Sequence, residues 1–89
     1  MTINIDTAEL HRSRELEKLA GLVDSIERMR SDQLDMLGML RLAEIQIGIT
    51  RRALIAEARA VGWSWRDIGL ALGLSGDEAA EKYAPRRGA

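Results

Sequence analysis

Apolar residues recur along the first third of the chain mostly at spacings of three and four: Leu10, Leu16, Leu19, Val23, Ile26 and Met29. That period predicts an amphipathic helix of about 23 residues with one apolar stripe. Asp6-Thr7-Ala8-Glu9 has the layout of a capping box at its start. Glu15 with Lys18, and Asp24 with Arg28, stand at spacings that support a helix. Ser31-Asp32 is a candidate cap for a second helix. With no Gly or Pro beside it, a hairpin and a kinked continuous helix both remain open.

Residues 34–49 follow a different pattern. Leu34, Met36, Leu37, Met39, Leu40, Leu42, Ala43, Ile45, Ile47 and Ile49 point nearly all round a helix. A helix apolar on most faces must be covered on most sides. The N-terminal helix covers one side and the C-terminal unit another, and a second copy of the chain is the simplest cover for what remains. A homodimer is expected, its interface built from Leu16, Leu19, Val23, Ile26, Leu37 and Leu40, the alternative being that three helices of one chain suffice. The methionines read as core filler.

The third segment is punctuated by caps. A helical run from Arg51 to Val61 ends at Gly62, the residue best suited to a left-handed C-cap. Ser64 then caps a helix over Trp65–Leu72, with Asp67 in position to reach back and Trp63 and Ile68 at hydrophobic-staple spacing. Ile68 and Leu72 form its inner face, and Gly69 permits a close helix contact. Gly73 ends it, and Leu74 turns into the core. Ser75 with Glu78 caps a last helix over Gly76–Tyr83, packed through Ala79, Ala80 and Tyr83 and stopped by Pro85. Two short helices joined by a Gly-containing turn, after a longer helix, make a trihelical helix-turn-helix. The expected fold is therefore all-α, with long N-terminal helices over 1–49 forming a hairpin or bundle for dimerisation. A helix-turn-helix unit over 50–89 completes one compact domain.

The stretch AEARAVGWSWRDIGLALGLS resembles the helix-turn-helix segment of small DNA-binding proteins common in actinobacteria and their phages, and the fourth conserved region of sigma factors. The matching positions are Ala56, Gly62, Trp63, Trp65, Ile68, Gly69, Ala71, Leu72, Gly73, Leu74 and Ser75. The likeness covers about a third of the chain and places residues 1–45 in no family. It implies a last helix that enters the major groove of double-stranded DNA with its N-terminal, outward residues on the bases. Carried onto this sequence, those are Ser75, Gly76, Asp77, Ala80 and Glu81. The usual members carry long polar donors here, whereas this chain has Gly76, Asp77, Glu78 and Glu81. Around the rim, Ser64, Arg66, Lys82, Arg86 and Arg87, with Arg51 and Arg52, are candidates for phosphates.

Charge sharpens the choice. Residues 1–49 carry six basic and nine acidic side chains, and residues 50–89 seven basic and five acidic. That basic excess is small for a nucleic-acid binder, whose affinity comes largely from neutralised phosphates. Two functions are therefore expected: a dimeric DNA-binding transcriptional regulator, or an adaptor whose acidic last helix docks on a transcription factor or polymerase. Catalysis lacks parts. His11 is the sole histidine, flanked at helical spacing by Arg14 and Glu15, so no metal set forms. Ser64 and Ser75 are caps with no base beside them, and no phosphate-cradling loop exists, so neither enzyme activity nor a cofactor is expected. Trp63 and Trp65, at an inter-helix turn, are expected in the core. Cysteine is absent, the N-terminus lacks the layout of a secretory leader, and no apolar run reaches membrane length. A reducing cytoplasm is the natural setting.

Overall fold

The computed structural model describes residues 4–85, all of it helix and connection. Four helices follow in order: α1 over Ile5–Arg28, α2 over Gln33–Val61, α3 over Trp65–Leu72 and α4 over Gly76–Tyr83. The first cap falls two residues earlier than the sequence suggests. The Asn4 side chain accepts from the Thr7 N–H at 2.8 Å, and Asp6 lies inside the first turn, where a carboxylate favours the helix dipole. The helix ends at Met29, and Asp32 caps α2 by accepting from the Asp35 N–H at 2.9 Å. The chain reverses between them, so α1 and α2 form an antiparallel hairpin.

α2 is one uninterrupted helix of 29 residues, running through the point where the apolar block gives way to the capped segment. No Gly or Pro terminates it there. Thr50 is accommodated because its hydroxyl donates to the Glu15 carbonyl across the hairpin at 3.3 Å.

The hairpin seam differs from the stripe of large apolar residues. Along the seam, the positions withdrawn from solvent on α1 and its C-cap are Ala8, Arg12, Glu15, Leu19, Leu22, Ile26 and Met29. On α2 the seam positions are Met36, Met39, Ala43, Gln46, Thr50, Ala53 and Glu57, while Ile55, Ala56, Ala58 and Ala60 are withdrawn near its C-terminal end. Both seam sets alternate steps of three and four, the repeat of helices packed side by side. The seam has an apolar half next to the reversal and a polar half beyond it. Glu15 is only 6% exposed. Its carboxylate accepts from Gln46 Nε2 at 2.7 Å and from Lys18 Nζ at 3.1 Å. Arg12 holds Glu57 through contacts of 3.1 and 3.2 Å. No buried side-chain polar atom among the described residues lacks a partner. Because polar and small residues occupy these positions, Leu10, Leu16 and Val23 of the expected stripe are left exposed, as are Leu34, Leu37, Leu40, Leu42, Ile45, Ile47 and Ile49.

α3 and α4 form the second helix pair, with the bounds read from the sequence. Both preceding helices end in the same way. Gly62 (φ 113°) and Gly73 (φ 75°) adopt the left-handed conformation. The next residue's N–H then reaches back: Trp63 to the Ala58 carbonyl at 2.9 Å, Leu74 to the Gly69 carbonyl at 2.8 Å. These are Schellman closures. Ile55 of α2, Ile68 of α3 and Ala79 of α4 are buried, and α2 meets α3 and α4 through Arg59 over the Trp65 ring and Arg52 over that of Tyr83.

Candidate nucleic-acid interface

The turn between α3 and α4 is tight for a reason visible at Gly69. A Cβ there would lie 2.7 Å from the Leu74 and Ser75 carbonyl oxygens, so only glycine lets the turn fold back onto α3. A Cβ on Gly76 would lie 3.1 Å from Arg66 Cα and N, so the first turns of α3 and α4 touch. The turn thus brings Ser64, Arg66, Ser75 and Gly76 to one region.

The caps fix those ends. Ser75 accepts from the Glu78 N–H at 3.1 Å, and Glu78 accepts from the Ser75 N–H at 2.9 Å, a complete capping box. The Ser75 hydrogen bonds hold the Glu78 carboxyl below its ordinary value. At α3 the box is incomplete. Ser64 accepts from the Asp67 N–H at 3.1 Å but donates its hydroxyl to the Asp67 carboxylate at 2.8 Å, leaving its own N–H out of the exchange. The carboxylates of Asp67 and Glu78 are therefore occupied locally. Asp77 and Glu81 are exposed and carry no ion pair among the described residues. Arg66 and Lys82 are exposed as well, while Arg86 and Arg87 lie outside the described residues.

The aromatic residues divide. Trp65 and Tyr83 are half-buried, each under a cation from α2: Arg59 lies 4.9 Å from the Trp65 ring centroid and Arg52 5.2 Å from that of Tyr83. Such pairs stabilise modestly at exposed sites. Arg59 also donates to the Trp63 carbonyl at 2.8 Å, a tie with no local sequence signal. Trp63 itself is 57% exposed, contrary to the expectation of a core residue. The Schellman closure ties the Trp63 N–H to the Ala58 carbonyl, and Arg59 holds the Trp63 carbonyl, which fixes the residue in the surface turn. Leu70 is 77% exposed on α3.

Of the expected interface residues in the hairpin, Leu19 and Ile26 lie half-buried in the seam, and Leu16, Val23, Leu37 and Leu40 face solvent. His11 is exposed on the rim of an open pocket of about 340 Å³, with Thr7, Arg14 and Ala56. No cluster of His, Asp or Glu suited to a metal occurs among the described residues, and no helix there is long and apolar enough to cross a membrane.

Comparison with known proteins gives one set of relatives. The chain is 36% identical over 73 residues to proteins of Mycobacterium bovis and of two strains of Mycobacterium tuberculosis, each described only as uncharacterized. The match takes in 78% of this chain but 29% of those proteins, so the chain spans under a third of the relatives' length. No protein-family profile matches the chain, and no solved structure does. It is thus similar to one segment of longer mycobacterial proteins.

Proposed function

We propose that the chain is a dimeric helix-turn-helix regulator that binds double-stranded DNA through α3 and α4. The observation that carries this reading is the glycine-closed turn. Gly69 and Gly73 fold α4 against α3 so that the capped start of α4 lies beside Arg66, with Arg66, Ser75 and Asp77 exposed and Gly76 half-buried between them. In a helix-turn-helix the second of two such helices enters the major groove and the start of the first meets the backbone. Ser64, Arg66 and Lys82 then take phosphates, joined by Arg86 and Arg87. Ser75, Gly76, Asp77 and Glu81 face base edges, where carboxylates accept from cytosine N4.

Two exposed carboxylates on α4 favour a second reading. Asp77 and Glu81 repel phosphates, and the same face suits an adaptor that docks on a basic surface of a transcription factor or polymerase.

One titration separates the two. Labelled genomic duplex fragments are titrated with the chain at low and rising salt. The regulator binds, and its log affinity falls linearly with log salt. Arg66→Ala weakens binding to every fragment, and Asp77→Lys with Glu81→Lys strengthens non-specific binding. Absence of binding to any fragment at low salt overturns the regulator. The adaptor requires the same double substitution to abolish capture of a transcription-related partner.

A further inference from the structure

The hairpin leaves one stripe of α2 that is complementary to itself. Leu40, Glu44, Ile47, Arg51 and Leu54 follow one another at steps of four, three, four and three, and all five are exposed. Neither Glu44 nor Arg51 belongs to an ion pair among the described residues. Read in either direction, the order is apolar, charged, apolar, charged, apolar, with an acid at one charged position and a base at the other.

We propose that two copies of the chain pair antiparallel along this stripe of α2, about a two-fold axis passing beside Ile47. That register sets Ile47 against the partner's Ile47, Leu40 against the partner's Leu54, and Glu44 against the partner's Arg51, twice over. Such matching is what a two-fold, isologous contact requires. A parallel pairing stacks Glu44 on Glu44 and Arg51 on Arg51, and like charges there are repulsive. The other flank of α2 is also apolar, with Leu42, Ile45 and Ile49. Its one acid, Asp35, meets Arg52 across a two-fold axis only in a register that sets Ile49 against Gly38, which has no side chain to pack.

The pairing deepens the dimeric half of the proposed function and does not depend on DNA binding. Fourteen residues separate Ile47 from Val61, which places the C-terminal ends of the two α2 helices about 42 Å apart. That span is comparable to the 34–36 Å between half-sites one DNA turn apart.

The test uses the 89-residue chain, which contains no cysteine. Sedimentation of the wild type at tens of micromolar is expected to give about twice the 9.9 kDa chain mass. Ile47→Glu is expected to raise the dimer dissociation constant at least about 30-fold, with helicity retained by circular dichroism; Ile45→Glu leaves it within a few-fold. Glu44→Arg and Arg51→Glu each weaken the dimer, and the two together restore it. In oxidising buffer Ile47→Cys forms a crosslinked dimer, while Leu40→Cys does so only when mixed with Leu54→Cys. A monomeric wild type, or dissociation by Ile45→Glu and not by Ile47→Glu, overturns the pairing. Failure of the double charge swap to restore the dimer, or ready crosslinking of Leu40→Cys to itself, overturns the antiparallel register. Loss of DNA binding with the dimer intact would instead refute the proposed function and leave the pairing standing.

Discussion

Gly69 and Gly73 sit in the same turn but are required for different reasons, and substitution separates them. At Gly69 a methyl group meets two backbone carbonyls at 2.7 Å, which cannot rotate aside as a side chain would. Gly69→Ala is expected to cost about 2–3 kcal/mol through forced backbone movement. At Gly73 nothing lies within 4 Å of an added Cβ, and only the left-handed φ of 75° resists. Gly73→Ala is therefore expected to cost about 1–2 kcal/mol, and Gly73→Asn less, since Asn tolerates that conformation. Urea unfolding of the three variants gives the order. Ser75→Ala, which removes the acceptor of the α4 capping box, is expected to lose about 1 kcal/mol in the same assay.

At the scale of the element, the hairpin is held in register by a polar layer in place of a large apolar one. Gln46 first, and Lys18 second, hold the Glu15 carboxyl below its ordinary value of 4.5. A carboxylate depressed in the folded state contributes stability above its unfolded pKa, and that contribution is lost as pH falls through the folded value. The thermal midpoint of the wild type is thus expected to fall as pH drops from about 5 to about 3, with Glu15→Gln flattening part of that slope. Glu78 titrates in the same direction and accounts for part of what remains.

The caps at Asp32, Ser64 and Ser75 and the terminators Gly62 and Gly73 were legible in the sequence, because each acts within four residues of itself. The bounds of α3 and α4 followed from them. The seam was not legible in this way. Arg12, Glu15, Gln46 and Thr50 read as surface residues until a second helix brings their partners from 31 to 45 positions away. Of the large apolar residues that drew the expected stripe, Leu19, Ile26 and Met29 enter the seam, and Leu10, Leu16 and Val23 lie on its flanks. Trp63 was misplaced for a related reason. Its spacing from Ile68 suits a staple, but how many aromatic rings the interior holds depends on the packing of three helices.

For the whole molecule, principal extents of 44 × 28 × 27 Å describe an elongated body, whose radius of gyration of 15.6 Å exceeds the roughly 12 Å of a compact chain of this length. Its flanks expose Leu34, Leu37, Leu40, Leu42, Ile45, Ile47 and Ile49 of α2, and large exposed apolar patches mark interaction sites. If dimer formation supplies part of the folding free energy, the thermal midpoint rises with protein concentration. An increase of several degrees over a hundredfold range is expected by calorimetry for the wild type, and none for Ile47→Glu.

Because α2 runs without interruption from the hairpin to Gly62, it acts as a single shaft whose rotation indexes one end against the other. One residue inserted between Arg51 and Arg52 turns everything beyond it by about 100°. Ile55, Ile68 and Ala79 turn together, and Glu57 swings away from Arg12, while the Glu15–Gln46 layer stays in place. Four inserted residues bring the far end back to within about 40° of its original setting. The phase of the helix, more than its length, decides which way the α3–α4 unit faces.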